Sequence, residues 1–267
     1  MADIEQLNGL WEWILWFVAF IVEKFYWIAH DWGLAIILFT IVFRLIMMPL
    51  MLSQTKSSFQ MQKVQPLLKD IQAKFANDPV RMNEETQKLY AEAKFNPLAS
   101  CIPMLIQMPI FIALFQVLRN IQYWLPKYDT FTFYNIIPSL TATPSEVMEN
   151  GIAAFVPYGI LIIIFVGATF LPMLLQQRDN QDSQQRNQMY MMSIIMGVMM
   201  LFVSWSSPAG VLLFWGVSGI IATITQQVYM RHLKNKAAAE ENAQIEIKPV
   251  KVEVERKTKK KRPTKKR

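Results

Sequence analysis

The sequence is predicted to fold as an all-α polytopic membrane protein, with five transmembrane helices, a cytoplasmic helical hairpin and an external amphipathic helix. Three observations predict this. The 267 residues are 53% hydrophobic. Apolar runs at 34–52, 98–118, 152–175, 188–206 and 210–228 are each long enough to cross ~30 Å of hydrocarbon as helices. The charges are segregated between the connections. Lys56, Lys63, Lys69, Lys74, Arg81, Lys88 and Lys94 fall in 53–97, whereas 119–151 holds only Arg119 and Lys127. The positive-inside rule then puts 53–97, 176–187 (Arg178, Arg186) and the tail in the cytoplasm, and the N-terminus outside.

Residues 1–33 form an external acidic segment, with Asp3, Glu5, Glu12, Glu23 and Asp31 against Lys24. Its uncharged core, Trp13 to Val22, is ten residues long, and Trp11, Trp13, Trp16, Tyr26 and Trp27 suit the headgroup level. The reading is an interfacial helix over 10–29, with a sixth span as the alternative.

The first span, 34–52, carries Arg44 near its middle, and no Asp or Glu lies in any of the five spans. Arginine stays protonated, and at mid-membrane it costs ~2.5–3.5 kcal/mol on insertion scales. Such a residue faces a bundle interior or a wet cavity, or else snorkels. Thr40, one turn earlier, favours a polar face.

The loop 53–97 is read as a helical hairpin. Phe59, Val64, Leu67, Ile71 and Phe75 recur at helical spacing, and Asn77-Asp78-Pro79 breaks the helix. Asp78 can cap a second helix with Pro79 at its first position, ending at Asn96-Pro97. A solvated connector fits the same pattern. The second span, 98–118, contains Gln107, a polar residue that could line a wet space or bond another helix. An external loop follows at 119–151, then the third span, 152–175, and a cytoplasmic loop at 176–187. Pro49, Pro103, Pro109, Pro157 and Pro172 remove backbone donors inside the spans. They fit either bent helices around a polar space or the ordinary proline content of membrane helices. The fourth span, 188–206, is rich in methionine (Met189, Met191, Met192, Met196, Met199, Met200), either a surface that re-packs around varied apolar partners or plain lipid-facing packing. The fifth span is 210–228. The basic tail, 229–267, is read as disordered. Its run KTKKKRPTKKR at 257–267 would attract phosphate polyanions, ribosomal RNA or anionic lipid, or serve only as a topology anchor.

Enzyme chemistry finds no support. His30 and His232 flank the membrane on opposite sides, so Ser100, Ser193 and Ser204 lack a base. Cys101 is the sole cysteine, which excludes a disulfide framework and a multi-cysteine metal site. No GxxxxGK[ST] loop occurs. No cofactor is expected. A channel or anion transporter using Arg44 as a selectivity charge is the rival class, although the five spans show no internal repeat. A structural scaffold, in which Arg44 is replaceable, is the third.

Three stretches resemble the YidC/Oxa1/Alb3 membrane-insertase family: WGLAIILFTIVFRLIMMPL (32–50), KFNPLASCIPMLIQMPIFIALF (94–115) and SPAGVLLFWGVSGIIATITQQ (207–227). The resemblance implies five helices around a hydrophilic groove open to the cytoplasm and lipid. It matches Arg44 to the groove arginine, Thr40 to the polar residue before it, and Trp215 to a groove-lining aromatic; Phe214 stands where members often have Tyr. Gln107 is added on its own polarity. The implied function is a membrane protein insertase and chaperone of the bacterial cytoplasmic membrane. Its implied partners are nascent membrane proteins, the ribosome through 257–267, and the Sec translocon. The extra N-terminal span and periplasmic domain of Gram-negative members, and the lipoprotein signal of short Gram-positive ones, are not seen. A naturally short form and the core of a longer one both remain open.

Overall fold

Leu15, Val18, Ala19 and Val22 share one helical face, and that spacing decides how the first element packs. All four are buried, while Trp13, Trp16, Phe17 and Phe20 stand exposed opposite them. They belong to α1 (Ala2–Ala29). The computed structural model describes residues 2–93, 102–177 and 183–247. The expectations for Asn96-Pro97, Cys101 and the run 257–267 lie outside these residues.

Chain reversal after α1 occurs at His30, in the left-handed region at φ 54°. Asp31 then caps α2 (Trp32–Lys74), its carboxylate accepting from the Leu34 N–H at 2.8 Å and the Tyr134 N–H at 2.7 Å. Nothing interrupts α2 at residue 52. The first span and the first arm of the hairpin are one continuous helix, because the sequence there changes polarity without any residue that stops a helix. Pro49 and Pro66 are carried inside it. The second arm, α3 (Pro79–Glu92), starts as expected: the Asp78 carboxylate accepts from the Arg81 N–H at 3.1 Å, with Pro79 in the first turn.

Next come α4 (Ile102–Arg119), the short α5 (Ile121–Trp124) and α6 (Pro144–Met148), then α7 (Ile152–Gln177), α8 (Ser183–Trp205) and α9 (Ala209–Ile247). Among the described residues there is no strand, only an isolated bridge between Phe133 and Ile137. Among the described residues, three helical stretches are long and apolar enough to cross a membrane: α2, Ile152–Leu171 of α7 and Ala209–Glu240 of α9. Leu105–Arg119 and Tyr190–Trp205 are shorter apolar helices. The chain forms two compact units, Met1–Met230 and Arg231–Arg267. The expectation of disorder from residue 229 is corrected over 229–247, which is helical. Its AAAEENAQ stretch is built mostly of strong helix formers, and their propensity outweighs the high charge.

Packing is uneven along the first unit. In α2 the buried residues run from Trp32 to Thr40, and none follows until Thr55. In α4 they are Ala113, Leu114, Val117 and Leu118, with none between 105 and 112. In these two helices the described buried residues therefore gather toward the end bearing the 119–151 loop. That loop also ties the start of α9, whose Ala209 and Gly210 N–H groups donate to the carbonyls of Ala142 (3.0 Å) and Leu140 (2.8 Å). Tyr158 of α7 donates to the Ser139 carbonyl at 2.8 Å. A polar aromatic cluster fastens α1 at the same end. Buried Glu23 accepts from Tyr128 Oη at 3.1 Å and pairs with Lys127 at 2.7 Å, and Tyr26 stacks on Trp32 with centroids 4.1 Å apart.

The hydrogen bond to Glu23 lifts the Lys127 ammonium above its ordinary range. A raised lysine value means that the pair contributes at neutral pH and fades as pH climbs through that value. Asp31→Ala should lower stability by ~2–3 kcal/mol, since it removes a helix cap and orphans the Tyr134 N–H. Asp31→Asn should cost less. Thermal loss of helical circular dichroism in detergent checks both.

Candidate functional site

The site begins with Arg44, on α2 just past the last buried residue of its dense end, Thr40. Its Nε donates to Ser218 Oγ of α9 at 2.5 Å, and Nη1 lies 3.4 Å from Met51 Sδ, two turns along α2. Ser218 is buried, so the half-buried guanidinium points toward α9 and the bundle. These contacts engage two of its five N–H donors, and both acceptors are neutral. Among the described residues, no carboxylate forms an ion pair with Arg44.

Three phenyl rings border this region. Phe39, Phe43 and Phe214 form a triangle with centroids 6.2 to 6.4 Å apart. Phe214 is fully buried.

The four sequence-derived candidates sit in different surroundings. Thr40 is fully buried, and its hydroxyl donates to the Ile36 carbonyl one turn back at 2.6 Å. Its polarity is thus met within its own helix. Trp215 is sandwiched rather than free. Its ring is parallel to Phe111 of α4 (4.2 Å, 8°) and Phe165 of α7 (4.8 Å, 9°), so one indole joins three helices. Gln107 is half-buried on α4, and its Nε2 is shielded from solvent with no partner among the described residues. An amide donor left in that state costs ~1–3 kcal/mol. Among the described residues, no hydrogen bond joins Arg44 to Thr40, Gln107 or Trp215.

Sequence reasoning missed Ser218 and Met51. The signal for Ser218 was a small hydroxyl residue inside an apolar run, between Gly216 and Gly219. Both glycines lie against α7: a Cβ on Gly219 would meet Ala168 Cβ at 2.9 Å, and one on Gly216 would meet Ile164 Cγ2 at 3.1 Å. Close packing of α9 on α7 fixes the rotation of α9, and so the direction of Ser218.

The arrangement can hold a cation at membrane depth among neutral groups. Among the described residues, no three His, Cys, Asp or Glu side chains come together to hold a metal.

A family model described as "60Kd inner membrane protein" matches residues 24–238. The chain belongs to this family. It is 37% identical over 209 residues to the "Membrane protein insertase YidC" of Actinobacillus succinogenes, covering 78% of this chain and 35% of that protein. To the Fusobacterium nucleatum protein of the same name it is 35% identical over 215 residues, covering 80% of this chain and 94% of the relative. To "Membrane protein insertase YidC 1" of Lactococcus lactis it is 34% identical over 250 residues, covering 92% and 85%. The chain thus spans about a third of the length of the Actinobacillus relative and most of the other two. A solved structure described as "Active YidC insertase crystal structure with the first transmembrane domain resolved" superposes with a TM-score of 0.58 at 29% identity, over 81% of this chain and 45% of that one. The family resemblance read from the sequence and the all-helical membrane architecture are therefore shown.

Trp215→Ala should destabilise by ~3–5 kcal/mol, whereas Trp215→Phe retains most of the stack. Gln107→Leu should leave stability unchanged or raise it by ~1 kcal/mol, because it removes an orphaned donor. Chemical denaturation in detergent reads both.

Proposed function

We propose that this chain is a membrane protein insertase: it transfers apolar segments of nascent proteins into the cytoplasmic membrane. The observation that carries the reading is Arg44, a permanent cation on an apolar helix with only neutral described partners. A polypeptide flank carrying Asp or Glu would supply the missing charge. Attraction to that cation is stronger at low effective dielectric than in water.

Uneven packing supports the direction of travel. In α2 and α4 the described buried residues gather toward the 119–151 end, which fits a groove closed outside and open to the cytoplasm. In this reading the five spans are those of the sequence analysis, the N-terminus lies outside and the hairpin meets the client first. The flank enters beside Arg44, and Gln107 offers a second polar contact once the arriving chain uncovers its Nε2, which has no partner among the described residues. The client's apolar segment then moves past the exposed face of α8 (Met191, Met192, Ile195, Met199) into lipid. Apolar transfer supplies ~25 cal/mol per Å², so no nucleotide is consumed. The basic run 257–267 would bring the ribosome or its RNA close, or hold anionic lipid, and cooperation with the Sec translocon extends the same role.

Arg44→Ala should lower insertion of clients with acidic external flanks about tenfold, the scale of one charged hydrogen bond, and Arg44→Lys should spare most of it. Clients with neutral flanks should change little. Insertion into vesicles holding the purified protein, scored by protease protection, measures this. If Arg44→Ala leaves every client untouched, the reading is wrong.

A further inference from the structure

At the densely packed end of the bundle, beyond the last turn of α4, lies a cavity of about 580 Å³ that the insertion reading does not use. Its lining includes Arg119, Tyr123, Asp129, Thr130, Ser139 and Thr141. That size falls within the ~300–1,000 Å³ of small-ligand sites. Arg119 and Asp129 bring opposite charges to one cavity, yet no ion pair joins them among the described residues. Both are exposed, so each can meet a ligand group. Thr130, Ser139 and Thr141 add hydroxyls, and Ser139 and Thr141 lie 2.9 Å apart.

The location narrows the ligand class. Arg119 closes the apolar helix Leu105–Arg119, and the ends of such helices lie at the level of lipid headgroups. Tyr123 is 78% exposed at the rim, and Trp124 packs edge-on against it at 5.0 Å. Exposed amphipathic aromatics mark that same level. A second hollow of about 550 Å³ shares Asn120 and Tyr123 with the first and is lined also by Trp11, Glu12, Leu15, Gln116 and Trp124. Trp11, Leu15 and Trp124 give it apolar surface for the upper acyl region of a lipid, and Gln116 and Asn120 give polar groups for the glycerol.

We propose that this cavity binds the headgroup of a zwitterionic aminophospholipid, one bearing a phosphate and a primary ammonium. Arg119 holds the phosphate, because a guanidinium matches phosphate oxygens geometrically. Asp129 accepts from the ammonium, which a quaternary choline nitrogen without N–H groups cannot reproduce and a glycerol headgroup lacks altogether. The pairing distinguishes this site from a simple basic patch, which would favour anionic lipid through the cation alone. Bound there, the lipid bridges α4 and the 119–151 loop at the end where the bundle is anchored.

Native mass spectrometry of the full chain, released from detergent with equal amounts of phosphatidylethanolamine, phosphatidylcholine or phosphatidylglycerol, tests this. The expected result is phosphatidylethanolamine retained about fivefold over the other two, the scale of one added charged hydrogen bond. Asp129→Asn should erase that preference while keeping phospholipid binding. Arg119→Gln should weaken all three lipids alike. Soluble glycerophosphoethanolamine at the same concentration should not be retained, since it lacks the acyl region. Helical circular dichroism confirms that both surface variants fold. Equal retention of the three lipids by the unmodified chain, an unchanged preference in Asp129→Asn, or equal retention of the soluble headgroup would each overturn the proposal.

Discussion

A guanidinium cannot shed its charge, and α2 carries one on the apolar stretch that the membrane must accommodate. The rest of the structure is arranged around that constraint. Ser218 on α9 receives Nε and Met51 receives Nη1, which orients the group without neutralising it. A carboxylate in Ser218's place would have formed a closed pair and removed the charge from use. A leucine would have left the donors without partners. Neutral acceptors are the choice that holds the side chain in position and keeps its charge available.

Holding the group in position requires a fixed scaffold, and the 119–151 end supplies it. There Asp31 caps α2 and accepts from the loop, Ala209 and Gly210 tether α9, and Glu23 gathers Tyr128 and Lys127 beneath α1. Gly33 lies against the Phe133 ring so closely that no Cβ fits, which brings the start of α2 onto the loop. Further along, the stack of Phe111, Trp215 and Phe165 joins α4, α9 and α7. Beyond these contacts α2 buries nothing between residues 41 and 54, while α9 still meets α7, where the Thr223 hydroxyl donates to the Ala168 carbonyl at 3.4 Å. In the proposed insertion, Gln107 Nε2, which has no partner among the described residues, is a donor for a carbonyl of the client.

Much of this was legible in the sequence, and the rest was not for identifiable reasons. Apolar length revealed the membrane class, and Asp78-Pro79 revealed the start of α3, because capping depends on local chemistry alone. Arg44 stood out because one charge in hydrocarbon outweighs most other local terms. The burial of Thr40 was not legible, because a shared helical face says nothing of where the buried stretch of α2 stops, between residues 40 and 44. Trp215 was placed by resemblance, but its two parallel partners lie about 104 and 50 positions away, beyond any local pattern. Ser218 depends on the rotation of α9, set by Gly216 and Gly219 against α7, and so needed the assembled bundle. The hydropathy shift at residue 52 read as a boundary between elements, whereas the backbone passes through it unbroken. At 229–247 the charge density concealed a helix that alanine and glutamate favour.

The most direct measurement of the central claim is a photo-crosslink from position 51, beside the guanidinium, to a ribosome-stalled client with an acidic flank. Arg44 stays intact in that experiment. The account expects the flank to crosslink from position 51 when Arg44 is present, and the yield to collapse in an Arg44→Leu background. Equal yields in the two backgrounds would contradict it, because the charge at Arg44 would then have no part in bringing the client into the bundle.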